Sequence, residues 1–463
     1  MTCTTIVTRV FRRLLLLVAL LSLASLFATI ACAAPDLIAV GSVSGTYEDF
    51  ATETASLLEN GIPGNRLGGM GSGLAYAGGN TFLALPDRGP NAKPYNSAVD
   101  DTTSYIARFH TLNLSLAPSD AGSPLPFTLT PMLVNTTLLS SQTPLVYGPG
   151  AGVGLGSGAP ALNAVDHTHY FTGRSDNFDP SQSSTNPANA RLDPEGIRVA
   201  HHGRSVFISD EYGPYVYEFD RESGRRVRAF TLPAKFAVSR LSAVGAEEIS
   251  GNTSGRVANK GMEGLAITPD GKRLVGIMQN ALIQDGGSTV RIVTVDIGSG
   301  RTREYAYTLT TGSGVSEILA VNDHQFLVDE RDGKGLGDGS NAKVKQIFLI
   351  DLQGATDVSG IAGEVNLAPH AVAKTVFLDV VAVLGAHGIT TNKIPAKIEG
   401  LAFGQDVVIG GRVKHTLYVA NDNDYNAVVG GLDNPNAWFV FAFDDTDLPG
   451  FVPQQLKDHG DER

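Results

Sequence analysis

Four glutamates occur at the same place in a recurring pattern, directly ahead of a short apolar segment: Glu195, Glu263, Glu317 and Glu399. A carboxylate there has no packing role, so its recurrence indicates a shared task. If the repeats surround an axis, these side chains converge, and their repulsion requires a cation, shared protons or basic neighbours. Oxygen ligands favour a hard cation, so we expect Ca²⁺, with Mg²⁺ or Mn²⁺ as alternatives.

A second polar group follows the next apolar segment of each repeat. These groups are Asp87 and Arg88; Asp210 and Glu211; Gln279 and Asn280; Asp329, Glu330 and Arg331; and Asn421, Asp422, Asn423 and Asp424. Their carboxylate and amide oxygens would complete a metal shell, and arginine suits a phosphate group geometrically. Carboxylate-held cations beside arginines fit hydrolysis of a phosphate ester, in which the metal polarises the phosphoryl group and acidifies a water.

The two sets of polar residues give the candidate site. The catalytic candidates are Asp87, Arg88, Glu263, Glu330 and Arg331, and the candidates for binding the anionic substrate are Arg88 and Arg331. The candidate metal ligands are Glu195, Asp210, Glu211, Glu263, Glu317, Asp329, Glu399, Asn421 and Asp422. A structural alternative stays open, in which the glutamates accept hydrogen bonds from backbone amides of the neighbouring repeat and the aspartates cap turns.

The elements that must position these residues are short strands in units of four. The clearest copy, Met262 to Asn280, is a strand, a Pro-Asp-Gly turn and a second strand. The first copy carries Ser72 in the glutamate position. Such units predict an all-β fold, a β-propeller with five blades counted directly, or six or seven if 92–190 contains another. The last unit shows three strands, and Leu37 to Val43 is expected to supply the fourth and close the ring.

Composition and the chain termini define the setting. The chain has 463 residues and a formal net charge of -12, which argues against nucleic acid as a partner. Residues 1–34 have a basic start, an apolar run and a small-residue cleavage site, so they predict a signal peptide rather than a transmembrane anchor. We expect one propeller domain at 35–445 and a tail at 446–463. The loop at 143–189 is long enough for a functional insertion or a mobile flap.

These motifs resemble the family known as esterase-like activity of phytase. The resemblance rests on Asp87-Arg88-Gly89, Asp193-Pro194-Glu195-Gly196, Ser209 to Pro214, Glu263-Gly264-Leu265, Glu317-Ile318, Asp329-Glu330-Arg331, Ile398 to Leu401, and Asn421-Asp422-Asn423. It spans about 37–445 and implies a secreted or periplasmic propeller-like domain with phosphoesterase or esterase activity. The chain is only distantly similar to calcium-dependent β-propeller phytases, whose dense Asp and Lys cluster has no counterpart in this sequence.

The sequence therefore favours a secreted or periplasmic phosphoester hydrolase that depends on a divalent cation and acts on a small ester or phosphoester. The first alternative is a non-catalytic propeller that binds a ligand or partner and is stabilised by calcium. The second is a lactonase-like calcium-dependent hydrolase. No membrane span is expected once the signal peptide is removed.

Overall fold

The described part of the chain is a five-bladed β-propeller. The computed structural model describes residues 35–91, 102–148, 167–310 and 312–457, so the predicted signal peptide at 1–34 lies outside them. Five antiparallel sheets surround an axis, and their innermost strands contact one another in a closed ring. This confirms the all-β propeller and the five blades counted from the sequence.

In each blade, four main strands lie side by side from the axis outward. Blade 1 is Gly73–Tyr76, Thr81–Leu85, Arg108–Pro118 and Phe127–Leu138; blade 2 is Pro194–Val199, Ser205–Asp210, Tyr215–Asp220 and Arg226–Thr231; blade 3 is Met262–Ile267, Arg273–Met278, Thr289–Asp296 and Thr302–Thr308; blade 4 is Gly314–Ala320, Gln325–Arg331, Lys345–Asp351 and Lys374–Asp379; blade 5 is Lys397–Phe403, Arg412–Asp422, Asn436–Phe443 and Asp36–Val43.

The ring is closed by the N-terminal strand, as the sequence predicted. Asp36–Val43 pairs antiparallel with the third strand of blade 5, with Leu37 opposite Phe441 and Gly41 opposite Trp438. Blade 5 is thus built from both ends of the propeller. In the closed ring the inner edges of the innermost strands face the channel, where they are protected from pairing with strands of other molecules.

The remaining elements are short. The helices are Thr52–Thr54, Ala234–Phe236, Gly245–Ser250, Glu364–Leu367, Ala368–His370 and Val380–Ala386, and the minor strands are Ser140–Ser141, His169–Tyr170, Val407–Ile409, Val428–Val429 and Leu432–Asp433. Among the described residues, no helix has the length and apolar character needed to cross a membrane.

Glycines at the start of the innermost strands allow the blades to approach closely. A Cβ on Gly264 would lie 2.6 Å from the backbone nitrogen of Ile318 in blade 4. A Cβ on Gly196 would lie 2.6 Å from Cβ of Leu265 in blade 3. Heavy atoms of this kind do not tolerate such short contacts, so these positions set the radius of the ring.

Residues 446–457, which the sequence assigned to a tail, run across the opposite end of the axis from the predicted site. The backbone nitrogen of Val452 donates to the carbonyl of Val321 at 2.9 Å, and Lys457 N donates to His201 O at 2.9 Å. Gln454 Nε2 donates to Val199 O at 2.8 Å. The segment therefore connects blade 4 to blade 2 beneath the axis.

We predict that Gly264→Ala destabilises the propeller, because the new methyl group would press against the backbone of blade 4. Overpacking of this kind costs about 1–3 kcal/mol, which chemical denaturation measures directly. The control is Gly298→Ala in an exposed turn, where the nearest atom to the added Cβ is 3.7 Å away. Equal stability of the two variants would contradict the close approach.

Candidate functional site

A polar cavity of about 200 Å³ opens at the end of the axis where the innermost strands begin. We call it the mouth cavity. It is lined by Asp87, Arg88, Glu195, Glu211, Asn259, Glu263, Gln279, Arg331, Lys397, Glu399 and Asp422. Carboxyl groups outnumber cationic side chains in this lining by two to one. The cavity therefore collects most of the candidate site residues, and they come from all five blades.

Three of the repeated glutamates reach the mouth cavity because of a bulge in their strand. In blade 3 the pairing shifts between Met262 and Gly264, so Glu263 has no partner in the ladder. The pairing of blades 2 and 5 shifts around Glu195 and Glu399 in the same way. A bulge redirects the side chain of the extra residue, which turns each glutamate toward the axis.

Glu317 does not lie in the mouth cavity, because blade 4 places its bulge one residue earlier. The pairing shifts between Val315 and Glu317, so Ser316 occupies the position that corresponds to Glu263. Ser72 holds that position in blade 1. Among the five ring positions, glutamate is thus present in blades 2, 3 and 5, and serine in blades 1 and 4.

Glu317 instead forms an ion pair inside the channel with Arg198 of blade 2, which we call the axial pair. Arg198 Nη2 lies 2.9 Å from Glu317 Oε2, and both side chains are almost completely buried. Glu317 Oε1 accepts hydrogen bonds from the backbone nitrogens of Leu265 and Ile318 at 3.0 and 2.9 Å. Glu317 thus matches the structural alternative, in which a repeated glutamate accepts hydrogen bonds from backbone amides of the neighbouring blade.

The ends of the second strands supply the next group of lining residues. Arg88 Nη1 lies 2.9 Å from Asp193 Oδ2, and the Arg88 backbone nitrogen donates to Asp193 Oδ1 at 3.1 Å. Asp87 Oδ1 accepts from the backbone nitrogen of Gly89 at 2.9 Å. In blade 2, Glu211 Oε1 accepts from the backbone nitrogen of Gly261 at 2.9 Å.

Two further cations face the carboxylates of the mouth cavity. Arg331 Nη2 forms a short ion pair with Glu399 and lies 3.8 Å from Glu263 Oε1. Lys397 Nζ lies 2.7 Å from Asp422 Oδ2 and 2.5 Å from Asp424 Oδ1. Burial would lower the pKa of Lys397, but its carboxylate neighbours hold the pKa well above the usual value.

The tightest group of carboxylates is Asp193, Glu195 and Glu211, whose oxygens lie within 4.8 Å of one another. All three residues are buried. Burial raises the pKa of Glu195 well above its usual value, and the nearby Glu263 and Asp193 carboxylates raise it further. Burial and Glu263 likewise raise the pKa of Glu211.

This carboxylate trio fits a hard divalent cation. None of the hydrogen bonds or ion pairs of the described residues involves the Glu195 carboxylate, and the strongest charge effects on it come from acidic neighbours. A proton or a metal ion would stabilise a buried carboxylate that has no ion-pair partner. The available donors are oxygens, as Ca²⁺, Mg²⁺ and Mn²⁺ prefer.

Several predicted site residues lie outside the mouth cavity. Asp210 Oδ1 accepts from the backbone nitrogens of Asp193 and Tyr212 at 3.2 and 3.0 Å, so it shapes the loop that carries the trio. Burial raises its pKa to about 7. Asn421 Oδ1 accepts from the backbone nitrogen of Ala437 at 2.7 Å, which ties two strands of blade 5 together.

The neighbours of Arg331 also point elsewhere. Glu330 contacts Lys374 in a short ion pair and accepts from the Tyr307 hydroxyl at 2.5 Å, so it lies between blades 3 and 4. Asp329 is fully buried beside Arg331, and neither of its oxygens has a hydrogen-bond partner among the described residues. Alternation along the strand puts Glu330 on the opposite face from Arg331, whereas Asp329 shares the face of Arg331 but does not line the mouth cavity.

Asp193, Lys397 and Asn259 were missed as site residues by the sequence interpretation. Each had a signal: Asp193 lies two residues before Glu195, and Lys397 lies two residues before Glu399. Alternate residues of a regular strand point to the same face. Without the bulge, each of these two residues would therefore lie on the same face as the glutamate two positions later. Asn259 has a left-handed backbone with φ of 55°, a conformation that asparagine adopts more readily than most residues.

The described part of the 143–189 insertion supports Arg88. A Cβ on Gly173 would collide with the carbonyl oxygen of Arg88, so the two backbones are in direct contact. The Gly173 backbone nitrogen donates to Tyr105 O at 2.9 Å, and Tyr212 Oη donates to Gly173 O at 3.2 Å. This segment is therefore packed against the wall of the mouth cavity; residues 149–166 lie outside the described ranges.

We predict that the axial pair gives the protein a pH-dependent stability. Burial raises the pKa of Glu317 to about 7, although Arg198 opposes the rise. A carboxyl group whose pKa is raised in the folded state binds protons more strongly there than in the unfolded state. Protonation of Glu317 therefore stabilises the folded protein fully below about pH 4.5, and this stabilisation is lost as the pH rises through about 7. Glu317→Gln should flatten this part of the curve of unfolding free energy against pH.

Above about pH 7, where Glu317 is ionised in the folded protein, the same variant also leaves Arg198 buried without its charged partner, which costs about 3–5 kcal/mol. Urea denaturation between pH 4 and 9 measures both effects, with Glu222→Gln in an exposed turn as the control. An unchanged slope in Glu317→Gln would refute the role of this group.

Comparison with known proteins places the chain in a family. Solved structures with a similar fold include the periplasmic gluconolactonase PpgL of Pseudomonas aeruginosa, 12% identical, covering 89% of this chain and 99% of that chain with a TM-score of 0.33. Another is the hydrazine synthase of Kuenenia stuttgartiensis, 11% identical, covering 83% of this chain and 81% of that chain with a TM-score of 0.31. Likenesses this low carry no functional argument.

Sequence relatives are more informative. A protein of Arthroderma benhamiae described as an uncharacterized secreted protein is 31% identical over 321 residues, which is 58% of this chain and 60% of that protein. The match thus spans less than two thirds of the relative. The family model described as phytase-like, esterase-like activity of phytase, matches residues 65–425, which include the whole lining of the mouth cavity. The chain therefore belongs to the phytase-like family described as having the esterase-like activity of phytase.

Proposed function

We propose that this protein is a secreted phosphoester hydrolase that depends on a divalent cation bound in the mouth cavity. The observation that carries the proposal is the carboxylate trio of Asp193, Glu195 and Glu211 in a site that also presents Arg88 and Arg331. Secretion is supported by the description of the Arthroderma relative and by the N-terminal sequence.

Glu195 and Glu211 would be the main ligands of the cation. Asp193 is shared, because its two oxygens already accept from Arg88. Glu263 lies close enough to raise the pKa of both main ligands, so it stands at the edge of the same group. When bound, a divalent cation would polarise a phosphoryl oxygen and lower the pKa of a water. We propose Ca²⁺, with Mg²⁺ or Mn²⁺ as alternatives, from the oxygen donor set.

The cationic side chains would bind the phosphate of the substrate. Arg331 enters the mouth cavity with one nitrogen engaged by Glu399, and its Nε has no hydrogen-bond partner among the described residues. A guanidinium has five N–H donors, so it can hold a carboxylate and a phosphate oxygen together. Lys397 and Arg88 are held at fixed places by Asp422 and Asp193.

The size of the mouth cavity limits what it encloses. At about 200 Å³ it is smaller than sites that enclose a whole drug-sized ligand, which measure roughly 300–1,000 Å³. It would therefore take up one phosphate group, while the remainder of the ester stays outside. The dominance of charged residues in the lining agrees with this role and disfavours an apolar acyl group.

We predict that Glu195→Gln abolishes cation binding and turnover. Wild-type protein treated with EDTA and then given Ca²⁺ should show heat of binding and a higher melting temperature, because the cation binds only the folded state. In Glu195→Gln the affinity for Ca²⁺ should fall at least tenfold. Hydrolysis of para-nitrophenyl phosphate or its diester, sensitive to EDTA in the wild type, should fall at least 100-fold.

Glu222→Gln serves as the matched control and should behave as wild type. An EDTA-induced loss of melting temperature without any turnover would instead favour the non-catalytic calcium-stabilised propeller. Turnover that resists EDTA and survives Glu195→Gln would overturn the proposed site.

We predict that Arg331→Lys raises KM for phosphoesters at least tenfold, because lysine keeps the charge opposite Glu399 but loses the paired donors. Steady-state kinetics with phosphoesters, a carboxyl ester and a lactone measure the effect. The loss should be confined to phosphoesters. Hydrolysis of the lactone at wild-type rates, with no phosphoester turnover, would favour the lactonase-like alternative.

A further inference from the structure

A second cavity lies at the opposite end of the propeller axis, and we call it the tail cavity. Its volume is about 360 Å³, larger than the mouth cavity, and most of its exposed lining is apolar. The far ends of the innermost strands form the walls, with Tyr76, Ile267, Leu319 and Phe403 among the lining residues. None of the candidate site residues predicted from the sequence lies there.

The axial pair separates the two cavities. Arg198 lines the tail cavity but not the mouth cavity. Its Nη1 donates to the carbonyl of Leu74 at 2.7 Å and its Nη2 to that of Ile318 at 2.9 Å, so the guanidinium joins blades 1 and 4 across the axis. With Glu317 bound to the same guanidinium, the channel between the cavities is filled by side chains.

The C-terminal segment completes the wall of the tail cavity. Phe451, Pro453 and Gln454 line it. The ring of Phe451 packs on Phe403 with centroids 4.5 Å apart, and His201 Nδ1 lies 2.7 Å from the carbonyl oxygen of Gln455. The segment thus contacts both sides of the cavity, and a partly open space remains between it and the strand ends.

We propose that the tail cavity binds a small, uncharged, mainly apolar molecule with one hydrogen-bond acceptor. Apolar walls with a few polar groups at one end are the usual form of a small-molecule site, and about 360 Å³ lies at the lower end of their range of roughly 300–1,000 Å³. The polar lining residues include Gln405, Asp406, Gln454 and Arg198. Arg198 is 3% exposed, and its Nε has no hydrogen-bond partner among the described residues.

The charge balance of these lining residues selects an uncharged ligand. Ionised Glu317 balances the positive charge of Arg198, and Asp406 adds a further acidic group to the lining. An anion entering the cavity would therefore add an uncompensated buried charge, which is costly. A carbonyl or ether oxygen avoids this cost and still accepts a hydrogen bond. The inference does not depend on the proposed hydrolysis at the other end of the axis.

The test uses the fluorescent probe 6-propionyl-2-dimethylaminonaphthalene, an uncharged ring system with one carbonyl group. We expect a saturable blue shift of its emission with the wild-type protein. Ala320→Phe fills the cavity and should weaken binding at least tenfold, whereas Ala386→Phe on the exposed end of a helix should bind as wild type. The analogue with a propyl group in place of the propionyl group should bind at least fivefold more weakly.

A second variant covers the case in which Ala320→Phe does not fold, which thermal denaturation would reveal. Gln454→Trp fills the cavity from the C-terminal segment without altering a blade, and it should weaken binding of the probe to the same extent. Absence of saturable binding to the wild type, or equal binding by the folded filling variants, would overturn the proposal. Equal affinity for the probe and its propyl analogue would show that the ligand needs no hydrogen-bond acceptor, and this part of the proposal would be wrong.

Discussion

The axial pair of Arg198 and Glu317 is the contact on which the arrangement of the channel depends. It bridges blades 2 and 4 directly, and its remaining hydrogen bonds reach backbone groups of blades 1 and 3. A buried ion pair of this kind adds little net stability compared with apolar packing, but it is costly to break because either partner alone would be a buried charge. The pair therefore specifies how four blades meet, and it divides the channel into two separate cavities.

The mouth cavity concentrates negative charge under the same constraint. Close packing at the glycines brings the ring glutamates together, and the neighbouring carboxylates of blade 2 add to them. Arg331 and Lys397 neutralise the side formed by blades 4 and 5, where their partners are Glu399 and Asp422. Near the carboxylates of blade 2, the only cationic side chain among the described lining residues is Arg88, which follows the second strand of blade 1. This asymmetry favours Glu195 and Glu211 as the place for the candidate metal, with Arg88 beside it and with Arg331 and Lys397 on the side of blades 4 and 5.

Segments outside the four-stranded repeats complete both ends of the axis. The insertion after blade 1 packs its backbone against Arg88 at the mouth, while the C-terminal segment crosses the far end. The charge of the mouth cavity comes from blade residues, whereas the C-terminal segment adds Phe451, Pro453 and Gln454 to the lining of the tail cavity. One end is thus small and charged and the other larger and mainly apolar, so each end is suited to a different class of ligand.

The sequence by itself predicted the strands and turns of five blades and the closure of the ring by the N-terminal strand, because apolar alternation and turn residues act locally. It left six or seven blades open, and the tertiary structure of the described residues shows five. The sequence also predicted that Glu195, Glu263 and Glu399 converge near the axis, because their position relative to their strands recurs, and all three line the mouth cavity. Only the tertiary structure decided Glu317, since a bulge displaced by one residue changes which side chain faces the axis. The pairing of Asp193 with Arg88 and of Lys397 with Asp422 joins residues far apart in the chain or on adjacent strands, and such contacts depend on the packing of whole blades.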